Sequence, residues 1–222
     1  MSKIILLAAM GAETAPLSRV LPDTPIIGTG VGKVAAASNT TKAILQHRPD
    51  AIVFVGVAGG LAPDLAQMSV LVARDALQWD VDLTPVNGGE LGVLNDGRGA
   101  IALDQTGAAL ALEAARELGY HARLGRVVTG DAFFASAEKS AWLQTTFAAD
   151  AVEMEGAAAL QVADDFGIPM VLLRVISDNA SDEAPMSYSD FLPRAAERAA
   201  LVTKHFLPRW LEGLPNASGS RV

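Results

Sequence analysis

Two glutamates stand inside an otherwise apolar stretch of the chain. Residues 151–160 read Ala-Val-Glu-Met-Glu-Gly-Ala-Ala-Ala-Leu, which places Glu153 and Glu155 two positions apart. In an extended backbone, side chains two positions apart point to the same face. A carboxylate in such surroundings is costly unless it has a partner. Both groups must therefore meet a ligand or another charged or polar group.

Three further charges lie inside an apolar run or at the end of one. Arg174 and Asp178 belong to the run at residues 170–178, and Glu13 follows the first run of the chain. Each charge alone has a structural explanation: Glu155 can be a helix N-terminal acid, Arg174 can pair with one glutamate, and Asp178 can cap a turn. Because all of them fall at strand ends or strand-to-helix junctions, where α/β proteins bind ligands, we favour one shared site.

The predicted site is acidic, with Arg174 and possible help from Lys33 as its cations, and this disfavours phosphate as a substrate. Carboxylates suit a ligand rich in hydroxyls, such as a ribose, and a buried protonated acid can donate to a leaving group. Two carboxylates in different environments can break a glycosidic bond. Phe133 and Phe134 can stack on a flat base, although core packing explains them equally well. The pattern indicates glycosidic chemistry.

Two glycine-rich segments follow predicted strands. The first, Gly28-Thr-Gly-Val-Gly-Lys33, fails as a dinucleotide fingerprint because Lys33 replaces the third glycine. It fails as a phosphate-binding loop because Val34 replaces the required Ser or Thr. It is a tight turn that needs positive φ, or a place where backbone amides meet an anion or a ribose. The second segment, residues 56–63, lets the backbone approach another group closely.

The composition excludes several classes of partner. Half of the 222 residues are hydrophobic, and 17 Lys and Arg stand against 25 Asp and Glu. An acidic surface disfavours nucleic acid and membranes, so the expected partner is a small molecule. The chain has no cysteine, and its three histidines show no ligand spacing, so no metal site is predicted.

The organisation predicted from the sequence is a single domain. The apolar run at residues 4–10 is too short to span a membrane and lacks a signal-peptide cleavage site, so we expect a cytoplasmic protein. No linker or repeat divides the chain. Residues 1–214 are predicted to form one domain, and residues 215–222 a disordered tail.

Apolar runs of strand length alternate with helical periodicity, which is typical of an α/β protein with a mostly parallel sheet covered by helices. The predicted strands are residues 3–10, 25–29, 51–57, 69–74, 123–129 and 170–177. The predicted helices are residues 33–47, 106–118, 138–147, 155–166 and 189–211.

Local signals set the ends of several elements. Gly119 and Gly167 are predicted helix stops, Ser189 is a predicted N-cap, and Pro208 is expected to end or kink the last helix. Residues 80–98 are rich in Gly, Asn and Asp without a clear period, so we expect a long loop there. A loop of that length is usually functional or lies at an interface.

Five segments, in this order, resemble those of the 5′-methylthioadenosine/S-adenosylhomocysteine nucleosidases, a family of the purine nucleoside phosphorylase superfamily. They are Gly-Val-Gly-Lys-Val-Ala-Ala-Ala (30–37), Val-Ala-Gly-Gly-Leu-Ala-Pro (57–63), Gly-Asp-Ala-Phe (130–133), Val-Glu-Met-Glu (152–155) and Arg-Val-Ile-Ser-Asp (174–178). The resemblance extends from Met10 to Leu211. It implies a three-layer α/β/α fold with a central mixed, mostly parallel sheet, no cofactor and a homodimer.

The resemblance implies catalytic roles by position. Asp178 would protonate the purine N7 as general acid, and Glu13 would hold and deprotonate the attacking water, with Arg174 helping to place it. Glu155 would bind the ribose hydroxyls and stabilise the oxocarbenium-like transition state. The implied reaction is hydrolysis of the N-glycosidic bond of 5′-methylthioadenosine and S-adenosylhomocysteine to adenine and the 5′-thioribose.

The resemblance also implies which residues contact the purine nucleoside. Phe133 would stack on the base, and the backbones of Phe134 and Ala180 would read its edge. A neighbouring subunit would complete the pocket for the 5′ substituent, with Leu83 and Val86 at the matching loop positions. The full predicted substrate-binding set is Met10, Val31, Val57, Ala58, Gly59, Phe133, Phe134, Glu153, Met154, Ala180, Tyr188, Leu83 and Val86.

Two features depart from the family's pattern. Val57 stands where the family usually has a Ser or Thr near the water, and residues 18–24 are a short segment where the family normally inserts two strands. The short segment suggests a futalosine hydrolase, with a larger 5′ substituent, as one alternative; a non-catalytic nucleoside-binding protein is another. A phosphorylase would need arginines near the N-terminus, where Glu13 stands and Arg19 is the nearest basic residue.

Overall fold

The computed structural model describes residues 3–180 and 184–214. Within these ranges the backbone forms eight strands and seven helices. The strands are β1 (Ile4–Ala8), β2 (Ile26–Gly28), β3 (Ala51–Gly60), β4 (Val70–Gln78), β5 (Ile101–Ala102), β6 (Ala122–Thr129), β7 (Ala151–Glu153) and β8 (Met170–Asp178). The helices are α1 (Gly11–Val20), α2 (Lys33–His47), α3 (Thr84–Asn87), α4 (Gln105–Glu117), α5 (Ala137–Phe147), α6 (Gly156–Asp165) and α7 (Ala184–Gly213).

One mixed sheet contains all of these strands, and its middle closes on itself. β3 pairs in parallel with β1 and β8 and antiparallel with β7. β8 also pairs with β4, β4 with β6, and β6 with β7. The five strands β3, β8, β4, β6 and β7 therefore form a closed, barrel-like ring, from which β1 and β2 extend at one side and β5 at the other.

The expected central mixed sheet is confirmed, but it is not the simple middle layer of a three-layer fold. An open sheet has two free edges, whereas here β8 pairs with β3 and β4 at once and closes the ring. Helices cover both faces of the strands. Along β3, Val53 and Val55 pack in a core with α1, α4 and α7, while Ile52 and Phe54 pack in a second core with α2 and α6.

Most predicted elements exist with shifted ends. The predicted strands correspond to β1, β2, β3, β4, β6 and β8, and the predicted helices to α2, α4, α5, α6 and α7. Gly119 and Gly167 follow the ends of α4 and α6 with positive φ, as predicted. The prediction of Ser189 as an N-cap is wrong, because α7 begins at Ala184, and α7 continues past Pro208 to Gly213.

Four short or unusual elements were not predicted: α1, α3, β5 and β7. α3 is a single turn inside the predicted loop at residues 80–98. Residues 21–25 alone connect α1 to β2, so no strand pair is inserted there. None of the helices in the described ranges is long and apolar enough to cross a membrane. The predicted tail, residues 215–222, lies outside the described residues.

Candidate active site

A cavity opens where the carboxyl ends of β1, β3, β6, β7 and β8 meet, the place where ligands bind in α/β folds. Most of the predicted site residues line it. The wall is formed by Ala9, Met10, Glu13, Val31, Val57, Ala58, Gly59, Ala132, Phe133, Phe134, Val152, Glu153, Met154, Glu155, Ser177 and Asp178. Three of its four carboxylates are not paired with any arginine or lysine of the described ranges.

Four predicted residues whose side chains the structure describes are not part of this wall. Arg174 and Ala180 are buried but lie outside the set that lines the cavity. Leu83 is the N-cap of α3, and Val86 lies within this single turn and is 86% exposed. The side chain of Tyr188 lies outside the described residues.

Asp178 is the last residue of β8 and is held by two hydrogen bonds. Ser177 Oγ donates to its Oδ2 (2.8 Å), and the Ala180 amide donates to its Oδ1 (2.9 Å). Burial raises the pKa of Asp178, and these two bonds oppose the rise in pKa only in part. Ser177 was not predicted as a site residue, although it is the neighbour of Asp178 in the Ser-Asp pair. The group is suited to hold a proton and to deliver it to a ligand.

Glu13 reaches the cavity from the first turn of α1. Its Oε2 accepts the Met10 amide (2.9 Å), and its Oε1 accepts the Val57 amide (3.2 Å). Burial raises the pKa of Glu13, and the positive charge of Arg174 opposes that rise. Gly56 makes this arrangement possible, because a Cβ there would lie 3.0 Å from Glu13 Oε1 and 3.2 Å from the Arg174 guanidinium. The second glycine segment was expected to let the backbone approach another group closely, and the side chains of Glu13 and Arg174 are the groups that it approaches.

Glu153 and Arg174 form a buried ion pair with Nη2 to Oε2 at 2.6 Å. The same glutamate accepts the Gly156 amide and the Thr129 hydroxyl. Arg174 Nη1 donates to the carbonyls of Phe54 and Leu173, at 3.3 Å and 3.1 Å. The structural explanation for Arg174, a pair with one glutamate, is therefore observed. Glu153 lines the cavity with its carboxylate already occupied by protein donors.

Glu155 is the N-cap of α6, with φ −136° and ψ −37°, so it is not in the extended strand with Glu153 that the spacing suggested. Its Oε1 accepts the Gly32 amide (2.9 Å). The first glycine segment was expected to offer a backbone amide to an anion or a ribose. The Gly32 amide does so, and its acceptor is the carboxylate of Glu155. Burial, reinforced by the charge of Glu153, raises the pKa of Glu155 to about 7.

The two phenylalanines after β6 have different environments. Phe134 is buried and packs edge-on against Trp79, with ring centroids 5.1 Å apart, so core packing describes its ring. Phe133 is 49% exposed and lines the cavity. The Ala180 amide is used by Asp178, and the Ala180 carbonyl accepts the Ser140 hydroxyl (2.7 Å). Phe133 is thus the more exposed of the two aromatic rings that line the cavity.

The wall combines acids with apolar side chains. None of the described residues that form it is a lysine, arginine or histidine. Within the described ranges, no group of three or more His, Cys, Asp or Glu residues is arranged to hold a metal ion. Chemically, the cavity can donate protons, accept hydrogen bonds from hydroxyls and enclose an apolar group.

The fold and the cavity define a mixed α/β protein with an acid-lined site at its strand ends. A family model described as the phosphorylase superfamily matches residues 26–208. Together with the relatives below, this match shows that the chain belongs to the phosphorylase superfamily and, within it, to the nucleosidases. The resemblance found in the sequence is thereby confirmed.

Two curated relatives differ in their named substrates. The aminodeoxyfutalosine nucleosidase of Helicobacter pylori is 39% identical over 174 residues, covering 78% of this chain and 75% of its own. The 5′-methylthioadenosine/S-adenosylhomocysteine nucleosidase of Haemophilus influenzae is 35% identical over 188 residues, covering 84% and 81%. A solved structure of a mutant Helicobacter pylori 5′-methylthioadenosine/S-adenosylhomocysteine nucleosidase with 5′-methylthioadenosine in its active site has a TM-score of 0.90 and 31% identity, covering 94% of this chain and 99% of that one.

Proposed function

We propose that this protein hydrolyses the N-glycosidic bond of 5′-methylthioadenosine and S-adenosylhomocysteine, releasing adenine and the 5′-thioribose. The observation that carries the proposal is that Glu13, Glu155 and Asp178, three carboxyl groups with raised pKa values, line one cavity. Perturbed carboxyl groups in a cleft are typical of general acids and bases. Each of the three takes a different step of one reaction.

Asp178 acts as the general acid. Its carboxyl group donates a proton to N7 of the adenine, so that the base departs as a neutral molecule when the bond from C1′ to N9 breaks. The bonding electron pair leaves with the adenine. A raised pKa favours this role because the group keeps its proton closer to neutral pH. The Ser177 hydroxyl and the Ala180 amide fix the orientation of the carboxyl group.

Glu13 acts as the general base for the attacking water. The water loses one proton to Glu13 as its oxygen forms a bond to C1′. Two backbone amides hold the carboxylate in place, and the nearby positive charge of Arg174 favours its ionised form. Arg174 acts from behind the wall, through its charge and its pairing with Glu153. Val57 gives its amide to Glu13 and offers the water no hydroxyl.

Glu155 binds the ribose. One of its oxygens is taken by the Gly32 amide, and the other accepts no hydrogen bond from a described residue. It can accept from the ribose hydroxyls, and its negative charge would stabilise the positive charge that develops on the sugar. Met154 contacts the sugar, and Phe133 stacks on the adenine.

Hydrolysis is favoured over phosphorolysis by the charge of the site. A phosphate nucleophile would need cations, and the described wall contains carboxylates and no lysine, arginine or histidine. Arg174, the nearest cation, is already paired with Glu153. Water is therefore the nucleophile in this proposal.

A homodimer would complete the pocket for the 5′ substituent. Met10 and Val31 would line that pocket together with Tyr188, and Leu83 and Val86 would reach it from the second subunit. The support is that Val31, at 52%, and Val86, at 86%, are apolar side chains with large exposed fractions. Sedimentation of the purified protein tests this point, since a monomer at micromolar concentration would contradict it.

A futalosine-type nucleoside is the second candidate substrate. The relative from Helicobacter pylori named for aminodeoxyfutalosine is 39% identical to this chain, and the short connection at residues 21–25 matches the expectation for a larger 5′ substituent. The bond broken and the roles of the three carboxyl groups would be the same. Only the group attached at the 5′ position differs.

The test is adenine release in phosphate-free buffer from 5′-methylthioadenosine, S-adenosylhomocysteine, aminodeoxyfutalosine and adenosine, with chromatography of the sugar product. We expect free adenine and methylthioribose, at a rate that added phosphate does not change. A preference for aminodeoxyfutalosine would transfer the proposal to the second candidate. Binding without cleavage of any of the four would establish a non-catalytic nucleoside-binding protein instead.

A further inference from the structure

Three charged residues outside the cavity wall connect three segments at its rim. Asp80 follows β4, Lys33 begins α2, and Asp131 lies between β6 and α5. Asp80 Oδ1 accepts from Lys33 Nζ (2.6 Å), and Asp80 Oδ2 accepts from the Asp131 amide (3.1 Å). Asp131 Oδ1 in turn accepts the Lys33 amide (2.7 Å). We call these three residues the rim network.

The rim network replaces a missing helix cap. The N-cap of α2 is Gly32, which has no side chain to accept the first amides of the helix. Asp131 accepts the Lys33 amide from another segment, and the Gly32 amide donates to Glu155. Two carboxylates from outside α2 therefore hold its first turn. Asp131 therefore holds the amide next to the one that donates to Glu155.

The rim network also fixes the segment that carries Phe133. Asp131, two residues earlier, is held through both its amide and its carboxylate. Trp79 brings Asp80 next to this segment: the Trp79 amide donates to the Thr129 carbonyl (3.0 Å), and its indole lies against Gly130, where a Cβ would come within 2.3 Å of the indole nitrogen. Loss of the network would free both sides of the cavity opening.

The ion pair at the centre of the network is partly shielded from solvent by the protein. The side chains of Lys33 and Asp80 are 18% and 23% exposed, whereas an exposed pair contributes little. We propose that Lys33, Asp80 and Asp131 are positioning residues that hold Glu155 and the Phe133 segment in their reactive arrangement. The proposal rests on the proposed function, since it assigns a purpose to the placement of its ribose-binding and base-stacking groups.

The test compares Asp80→Ala, Asp80→Asn, Lys33→Met and the double variant Lys33→Met/Asp80→Ala by kcat and KM for the nucleoside that the wild-type protein cleaves. We expect kcat/KM to fall about 10- to 100-fold in Asp80→Ala, the scale of a displaced catalytic group. Because both residues act through one network, the double variant should be no worse than the stronger single one. Asp80→Asn should recover part of the loss, because its amide oxygen can still accept the Asp131 amide.

Lys42→Met is the matched control. Lys42 is a second lysine of α2, and its ammonium donates to Asn39 three residues earlier, away from the cavity. We expect its kcat/KM to stay within about two-fold of wild type. A purely structural role of the rim network would lower the melting temperature while the folded fraction kept its kcat/KM. Rates within two-fold of wild type in folded Asp80→Ala and Lys33→Met would overturn the proposal.

Amide hydrogen exchange separates this proposal from the proposed function. We expect the amides of Gly32 and Lys33 to exchange at least about ten-fold faster in Asp80→Ala than in wild type and to be unchanged in Lys42→Met. Unchanged exchange would overturn the network itself. A wild-type protein that cleaves no nucleoside would overturn the proposed function and leave the exchange result to decide whether the network holds the Gly32 amide.

Discussion

Two groups of charged side chains among the described residues, at different places in the fold, have different kinds of partner. The first is an arginine–aspartate cluster between β4, β6 and the start of β7, made of Arg123, Arg126, Asp75 and Asp150. Arg126 Nε and Nη2 donate to Asp75 (2.7 Å and 3.1 Å), Arg123 Nη2 donates to Asp150 (2.7 Å), and the Arg126 amide donates to the same aspartate. Every carboxylate of the cluster faces a guanidinium.

The second place is the cavity, where carboxylates outnumber cations. Glu13, Glu155 and Asp178 are held by backbone amides and one hydroxyl, and the nearest guanidinium, of Arg174, is paired with Glu153. Burial raises the pKa of each of the three. Hydrogen bonds fix their positions and no arginine or lysine of the described residues forms an ion pair with them, so they can interact with a ligand. A balanced cluster stabilises the fold, and an unbalanced one is suited to catalysis.

Asp178→Asn should show most clearly that the cavity serves catalysis and the arginine–aspartate cluster serves stability. The amide keeps the shape of the side chain and can still accept the Ala180 amide, but it has no acidic proton to give. We expect turnover to fall by about 10²- to 10⁴-fold, the worth of a positioned general acid, with no loss of stability. Steady-state adenine release measures the effect, with the exposed Asp23→Asn as the matched control. Turnover like that of wild type would refute the role of Asp178.

Glu13→Gln should abolish most hydrolysis while adenine still binds. The amide cannot take a proton from water, so the expected loss in turnover is again about 10²- to 10⁴-fold. Only one of the two backbone amides that Glu13 accepts would keep its acceptor. Calorimetric titration with adenine checks that the pocket is intact. Retained hydrolysis would contradict the assignment of the water to Glu13.

Glu155→Gln should change how stability depends on pH. A carboxyl group whose pKa rises from 4.5 to about 7 on folding contributes stability that is fully present below about pH 4.5 and is lost as the pH rises through about 7. The wild type should therefore lose up to about 3 kcal/mol of unfolding free energy over this range relative to the variant. Urea titrations at pH 5 and pH 8 measure the difference, with the exposed Glu90→Gln as control. Parallel pH profiles of wild type and Glu155→Gln would disprove the shift.

Asp75→Asn should show the reverse pattern in the arginine–aspartate cluster. The substitution removes the charge that faces Arg126, and a hydrogen bond to a charged group contributes about 1.5 kcal/mol or more. We expect the unfolding free energy to fall by about 1.5 kcal/mol and turnover of the folded protein to stay unchanged. Chemical denaturation and adenine release on the same samples provide the test. A large loss of turnover would mean that the two regions are not separate.

Val57→Thr should have the smallest effect. Val57 lines the cavity beside Glu13, and threonine has a similar shape with a hydroxyl that can hold the attacking water. One net hydrogen bond is worth about 0.5–1.5 kcal/mol, so turnover should rise by about 2- to 10-fold. Val34→Thr, which adds a hydroxyl at an exposed position, is the control. A fall in turnover would show that the position tolerates no hydroxyl.

The sequence was sufficient to predict the main helices and strands and the acids of the cavity. Continuous apolar runs predicted β3 and β8, and a regular helical period predicted α2. Glu153, Glu155 and Asp178 were identified because charged residues inside apolar stretches of sequence are unusual. Helix α1 was missed because it begins with glycine and contains Pro16, both of which disfavour a helix locally. Packing of α1 against α7 is a long-range effect that local patterns do not contain.

Pairings between distant segments could not be predicted from spacing. Sequence distance does not tell whether Arg174 faces Glu13 or Glu153, and the structure pairs it with Glu153. The same holds for the rim network, whose members lie on three segments. The closed ring was missed because β7 has three residues, too few for a period, although it joins β3 to β6.

The closed ring also determines at what stage of synthesis the protein can form its cavity. Within the described residues, β8 is the last strand, and it alone joins β3 to β4. A growing chain lacks both this seam and Asp178 until most of it has been made. Until then the inner edges of β3 and β4 stay open to pairing with other chains. A nascent chain, or one shortened to end before β8, should therefore aggregate readily and leave nucleosides intact, and cleavage would report that the chain has been made at least as far as Asp178.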